Sequence, residues 1–125
     1  MDKKYSIEDI DPDEIKHADI DKFEFDAVRK IFYINLCHVG LKDGIFLYDC
    51  TITITDWWDF EVLQYHKDTI INKFKGNDIP ELDSIIDFSY DGNVLIFEDL
   101  CGIDELYHFK FTKPKIQITG EYDPD

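Results

Sequence analysis

From Lys22 onward apolar and polar side chains alternate with period two, the spacing that puts successive residues on opposite faces of a sheet. In Phe23-Glu24-Phe25-Asp26 the rings fall on one face and the acids on the other, which predicts a half-buried strand. Arg29 and Lys30 break the pattern before Ile31-Phe32-Tyr33-Ile34-Asn35-Leu36-Cys37, a nearly continuous apolar run that predicts a central strand covered on both faces. After a loop at Gly40 to Gly44 comes the clearest alternation, Phe46, Tyr48, Cys50, Ile52 and Ile54 against Leu47, Asp49, Thr51, Thr53 and Thr55. The first set predicts the core face and the second a threonine ladder facing water. Asp56-Trp57-Trp58-Asp59 interrupts the alternation as a turn or bulge, and Phe60-Glu61-Val62-Leu63-Gln64-Tyr65 resumes it.

Between Asp68 and Leu82 the apolar residues Ile70, Ile71 and Phe74 predict a short helix or ordered loop near residues 68–82, ended by Gly76-Asn77 and Pro80. Asp91-Gly92-Asn93 between Ile85–Tyr90 and Val94–Phe97 is a hairpin signal. Leu106–Phe111 and Lys115–Tyr122 form a last pair, with Pro114 in the connection, where its missing amide hydrogen does no harm. About eight strands at roughly ten-residue spacing predict a mostly β fold, an antiparallel β-sandwich or open barrel. Residues 1–20 are expected to form a loose, acidic N-terminal arm with one helical turn after Asp11-Pro12, and residues 21–125 a single antiparallel β domain.

Charge narrows the functional classes. Twenty-eight acidic against thirteen basic residues leave a net charge of −15. Such a field repels nucleic acid and anionic membrane surfaces and attracts a cationic protein. With 44% apolar and 15% aromatic residues, the body of the chain is expected to fold. No stretch reaches the roughly 18 apolar residues of a membrane span. The opening Met1-Asp2-Lys3-Lys4-Tyr5-Ser6 lacks the apolar core of a signal peptide. Cys37, Cys50 and Cys101 are odd in number, far apart and set within or beside apolar runs, which predicts reduced core or near-core thiols. Both features point to the cytoplasm.

Catalytic motifs are missing: the chain has no Gly-rich phosphate loop, no Gly-x-Ser-x-Gly elbow and no His-Glu-x-x-His helix. His17, His38, His66 and His108 form no His-x-His pair, and Cys37 and His38 on one strand point to opposite faces. Asp9-x-Asp11-x-Asp13 opens like a calcium loop, but no glycine follows where one is needed and Ile20 holds the twelfth position. No metal, no cofactor and no catalysis are therefore expected. Acidic groupings such as Asp83/Asp87 arise by chance among so many acids, although one desolvated carboxylate, Asp87 or Glu98, in an interior cleft would suit a small-molecule-binding barrel or a small enzyme. In Asp56-Trp57-Trp58-Asp59-Phe60-Glu61 two adjacent indoles on near-extended backbone cannot both point inward, so one is expected at the surface among carboxylates, the composition of a binding hot spot. The alternative is that both pack under a neighbouring loop.

The run Tyr48-Asp49-Cys50-Thr51-Ile52-Thr53-Ile54-Thr55-Asp56-Trp57, with a second strand ending at Tyr65, resembles the polar strand and Asp-Trp signature of small bacterial immunity proteins of polymorphic-toxin systems. Ile86-Asp87-Phe88, Gly92-Asn93-Val94-Leu95-Ile96 and the closing Lys113-Pro114 to Gly120-Glu121-Tyr122 extend the likeness, which includes proteins paired with wall-associated and Rhs-type toxins and spans residues 23–123. The resemblance implies a cytoplasmic protein that binds and neutralises one cognate toxin domain, often a basic nuclease. On that reading the partner-binding residues are Asp56, Trp57, Trp58, Asp59 and Glu61, with Asp49 in support.

Overall fold

The computed structural model describes residues 3–15, 18–102 and 104–123. Its strands are β1 (Lys3–Tyr5), β2 (Ile20–Asp26), β3 (Ile31–Gly40), β4 (Phe46–Thr55), β5 (Asp59–His66), β6 (Thr69–Phe74), β7 (Ile85–Tyr90), β8 (Val94–Gly102), β9 (Glu105–Thr112) and β10 (Lys115–Asp123). A 3-10 turn at Ile7–Asp9 and the single turn α1 (Pro12–Ile15) lie between the first two strands. The first sheet runs β1-β10-β4-β3-β2 and the second β6-β5-β9-β8-β7, every neighbour antiparallel. The fold is therefore an antiparallel sandwich, and it is not closed into a barrel.

Aromatic rings fill the space between the sheets. Phe32 of β3 lies 6.0 Å from Phe97, 6.0 Å from Phe109 and 5.9 Å from Phe111 of the facing sheet, and Phe97 stacks on Phe109 at 4.6 Å. Burying rings of this size supplies much of the driving force for folding, and their edge and offset contacts fix one arrangement.

Ten strands are formed among the described residues where about eight are expected. The two additions are β1 and β6. β6 replaces the helix or loop expected at its position: Thr69–Phe74 is an edge strand with nearly all its side chains exposed, so its sequence carries no alternation and pairing with β5 sets its register. Residues 75–84 beyond it form the loop.

The N-terminal segment is not loose. Tyr5 pairs with Ile118, Ile10 bridges to Leu41, and Ile15 is fully buried. The Ile85 amide donates to the Ala18 carbonyl, and the Ile20 amide to that of Asp83, so the segment laces one sheet to the other. A Cβ on Gly40 would stand 2.7 Å from the Glu14 Cβ, which shows how closely this segment lies on β3. The expected helical turn is present as α1.

The face assignment of β4 needs correction. Thr51 pairs with Thr119 but Tyr48 with Glu121, so Asp49 and Cys50 together oppose Gly120 in a bulge, with Asp49 in the left-handed region at φ 53°. One extra residue reverses which side chains point inward. Leu47 is therefore buried while Phe46 and Tyr48 are exposed, whereas Cys50, Ile52 and Ile54 keep their core positions. β3 changes phase alongside: Leu36 and Val39 both point inward, and Cys37 and His38 between them are exposed. Cys37 is thus not a core thiol, Cys50 is, and the Cys101 side chain lies outside the described residues. Burial, helped by the neighbouring Asp49 carboxylate, pushes the Cys50 thiol up to about 12. Nor is β3 covered on both faces, because Tyr33 opens to solvent.

Candidate interaction surface at the corner of the sandwich

β4 and β5 are one strand bent over the corner, as are β9 and β10. Thr55 pairs with Lys115 below the bend and Asp59 with Thr112 above it, leaving three residues, 56–58, against two, 113–114. Asp56 at φ 53° and Lys113 at φ 50° take the left-handed conformation that turns the ribbon. The Trp58 amide donates to the Thr112 carbonyl at 2.8 Å and the Asp56 amide to that of Lys30 at 3.2 Å, while Lys30 Nζ donates to the Trp57 carbonyl at 3.0 Å.

The bend sends the two indoles in opposite directions. Trp57 is 1% exposed, lying parallel to Phe25 at 5.8 Å and against Phe60 at 5.6 Å and Phe111 at 5.0 Å. Trp58 is 71% exposed, with Lys113 Nζ 3.8 Å from its ring centroid, a cation–π contact that holds the indole out from the surface. Sequence reasoning places one indole outside, and that indole is Trp58. Trp57 leaves the set of partner-binding residues, since a core side chain offers no surface.

Asp56 and Asp59 flank the exposed indole along the chain. Asp56 pairs with Lys115 at 3.5 Å, and Asp59 Oδ1 accepts from the Phe60 amide at 3.0 Å. Glu61 follows on β5, 3.7 Å from Lys73. Asp49 is not part of this group, because seven residues of strand at about 3.3 Å each put it roughly 20 Å away. There it accepts from Asn35 Nδ2 at 3.1 Å, as does Thr51 Oγ1.

The two carboxylates considered for an interior cleft, Asp87 and Glu98, pair across β7 and β8 on the outside of the second sheet. Glu98 Oε2 lies 2.9 Å from His108 Nδ1. The buried carboxylate is instead Asp99, fully enclosed, which accepts from the Asp83 amide at 2.9 Å and the Ser84 amide at 2.8 Å. Burial raises its pKa above the ordinary carboxylate range, against the pull of those two amides. The alternation Leu95, Phe97, Asp99 carried the signal, since it sets an acid at a core position.

Among the described residues no group of three His, Cys, Asp or Glu comes together to hold a metal ion. His17 lies outside the described residues. Also among them, no helix is long and apolar enough to cross a membrane. No protein-family model, no curated protein and no solved structure matches this chain.

Proposed function

We propose that this protein is a cytoplasmic immunity protein that binds a cationic toxin domain, for which a basic nuclease is the best candidate, and neutralises it by covering its surface. The observation that carries the reading is Trp58, an exposed indole that stands between Asp56 and Asp59 in the sequence and meets Lys113 on its ring, on a chain of net charge −15. Complementary charge accelerates encounter, and an aromatic anchor that becomes desolvated slows dissociation. The likeness of the Asp-Trp strand end and the closing Gly-Glu-Tyr phrase to immunity proteins supports the same reading.

The test uses the domain encoded by the neighbouring reading frame. Its association rate with this protein is expected to fall by about tenfold or more as salt is raised, since steering by net charge is screened. Replacing Trp58 and Asp59 together by alanine should weaken the complex by about 2 kcal/mol or more, the size of a hot spot. Unchanged affinity in that double variant removes the corner from the interface, and absence of any complex or protection removes the function.

A further inference from the structure

The outer faces of the two sheets differ in how their apolar side chains are arranged. Residues paired across an antiparallel ladder share a face, so the register assigns each row. On the first sheet two rows read Lys4, Thr119, Thr51, Asn35, Lys22 and Gln117, Thr53, Tyr33, Glu24, largely polar and charged, while the exposed Phe46 and Tyr48 stand apart beyond the bulge. On the second sheet one row reads Ile70, Tyr65, Leu106, Leu100 and the next Leu63, His108, Glu98, Asp87. Ile70 is 52% exposed and Leu100 50%, whereas Leu63 is 6% exposed without belonging to the core between the sheets. The Tyr65 ring meets the His108 ring edge-on at 6.0 Å, and His108 in turn faces Glu98. A solvent-facing sheet ordinarily alternates to polar residues on this side, and an apolar row that does not is the mark of a surface meant to be covered.

We infer that this outer face of the second sheet is where the cationic domain docks, with Tyr65, Leu100 and Leu106 as the apolar centre. The inference rests on the neutralisation reading above and names its surface. Charge selects the occupant. The face and its corner carry the carboxylates of Asp56, Asp59, Glu61, Asp87 and Glu98 against the amines of Lys73, Lys110, Lys113 and Lys115, with Lys73 paired to Glu61 and Lys115 to Asp56, so the selection comes from the net charge of the whole chain, −15. A second copy of a chain of charge −15 would be repelled from this face, whereas a cationic surface is attracted to it. Asp59 and Glu61 lie on the same strand directly after Trp58, so the corner indole forms one rim of the same surface. An apolar centre bounded by charge is the usual anatomy of a specific interface.

Two substitutions of equal charge separate the faces. Leu100→Lys and Gln117→Lys each add one positive charge, the first to the outer face of the second sheet and the second to that of the first, so any loss of steering is common to both. Against the domain of the neighbouring reading frame, Leu100→Lys is expected to weaken binding by about tenfold or more, and Gln117→Lys by less than about twofold. Equal effects from the two would overturn the assignment of the face and leave neutralisation standing. If that domain does not bind at all, neutralisation falls, and a synthetic peptide of alternating lysine and leucine tests the face by itself. Amide shifts confined to β5, β8 and β9 then support it, and shifts on β3, β4 and β10, or none, overturn it.

Discussion

Asp99 shows how one buried side chain holds a long connection in place. Its two carboxylate oxygens take the amides of Asp83 and Ser84, the end of the loop that leads from β6 into β7. Asp99→Ala leaves both donors unpaired and is expected to cost about 2 kcal/mol or more, read from the urea midpoint. Its titration has a definite sign. Because burial raises the folded-state pKa above the unfolded value near 3.9, the folded state binds the proton first, so Asp99 itself favours folding more as pH falls through that window. The wild-type protein should therefore gain stability relative to Asp99→Asn on going from pH 7 toward pH 4. Parallel pH curves for the two would contradict the burial argument. Asp91 behaves oppositely: backbone amides at Val94 and Asn93 lower its pKa, so whatever it contributes is lost as pH falls through that lowered value.

At the scale of elements, the corner joins the sheets, and its two tryptophans divide the work. Trp57→Ala removes a core ring and is expected to cost about 3–5 kcal/mol, whereas Trp58→Ala should alter stability by less than about 1 kcal/mol. Chemical denaturation of the two variants measures this, and acrylamide quenching in each should find the Trp58 indole accessible and the Trp57 indole shielded. The bend was legible in the sequence because Asp56 to Asp59 breaks a clean alternation. The choice of the inner indole was not, since it depends on the left-handed conformations of Asp56 and Lys113, and Lys113 lies in another strand pair. The same limit explains Phe46 and Tyr48. Nothing local to β4 announces the bulge at Asp49, which arises where β4 meets Gly120 of β10, a residue whose Cβ would press on Leu47 at 3.2 Å. Asp91-Gly92, by contrast, specifies its turn within three residues: the Asn93 and Val94 amides both donate to Asp91, and Gly92 takes φ 94°. Short-range chemistry can be read along the chain, and cross-strand chemistry has to be seen.

The two sides of the molecule differ in pattern: one outer face is rich in threonine with Tyr33, Phe46 and Tyr48 set among polar residues, and the other carries an apolar row across four strands among charged residues of both signs. The asymmetry was only half visible beforehand. The threonines of β4 announced the first face, whereas the second needs the registers of β5, β6, β8 and β9 combined before Ile70, Tyr65, Leu106 and Leu100 fall into line. The strand Lys3–Tyr5 has a bearing on solubility that its three residues conceal. By pairing with β10 it shields one margin of the first sheet, and an unshielded margin is a template on which other chains can add. Deleting residues 1–5 should therefore produce concentration-dependent aggregates in size-exclusion chromatography under conditions where the full chain runs as a single species. The leading residues would then serve as a guard against self-assembly, apart from any part in recognising a partner.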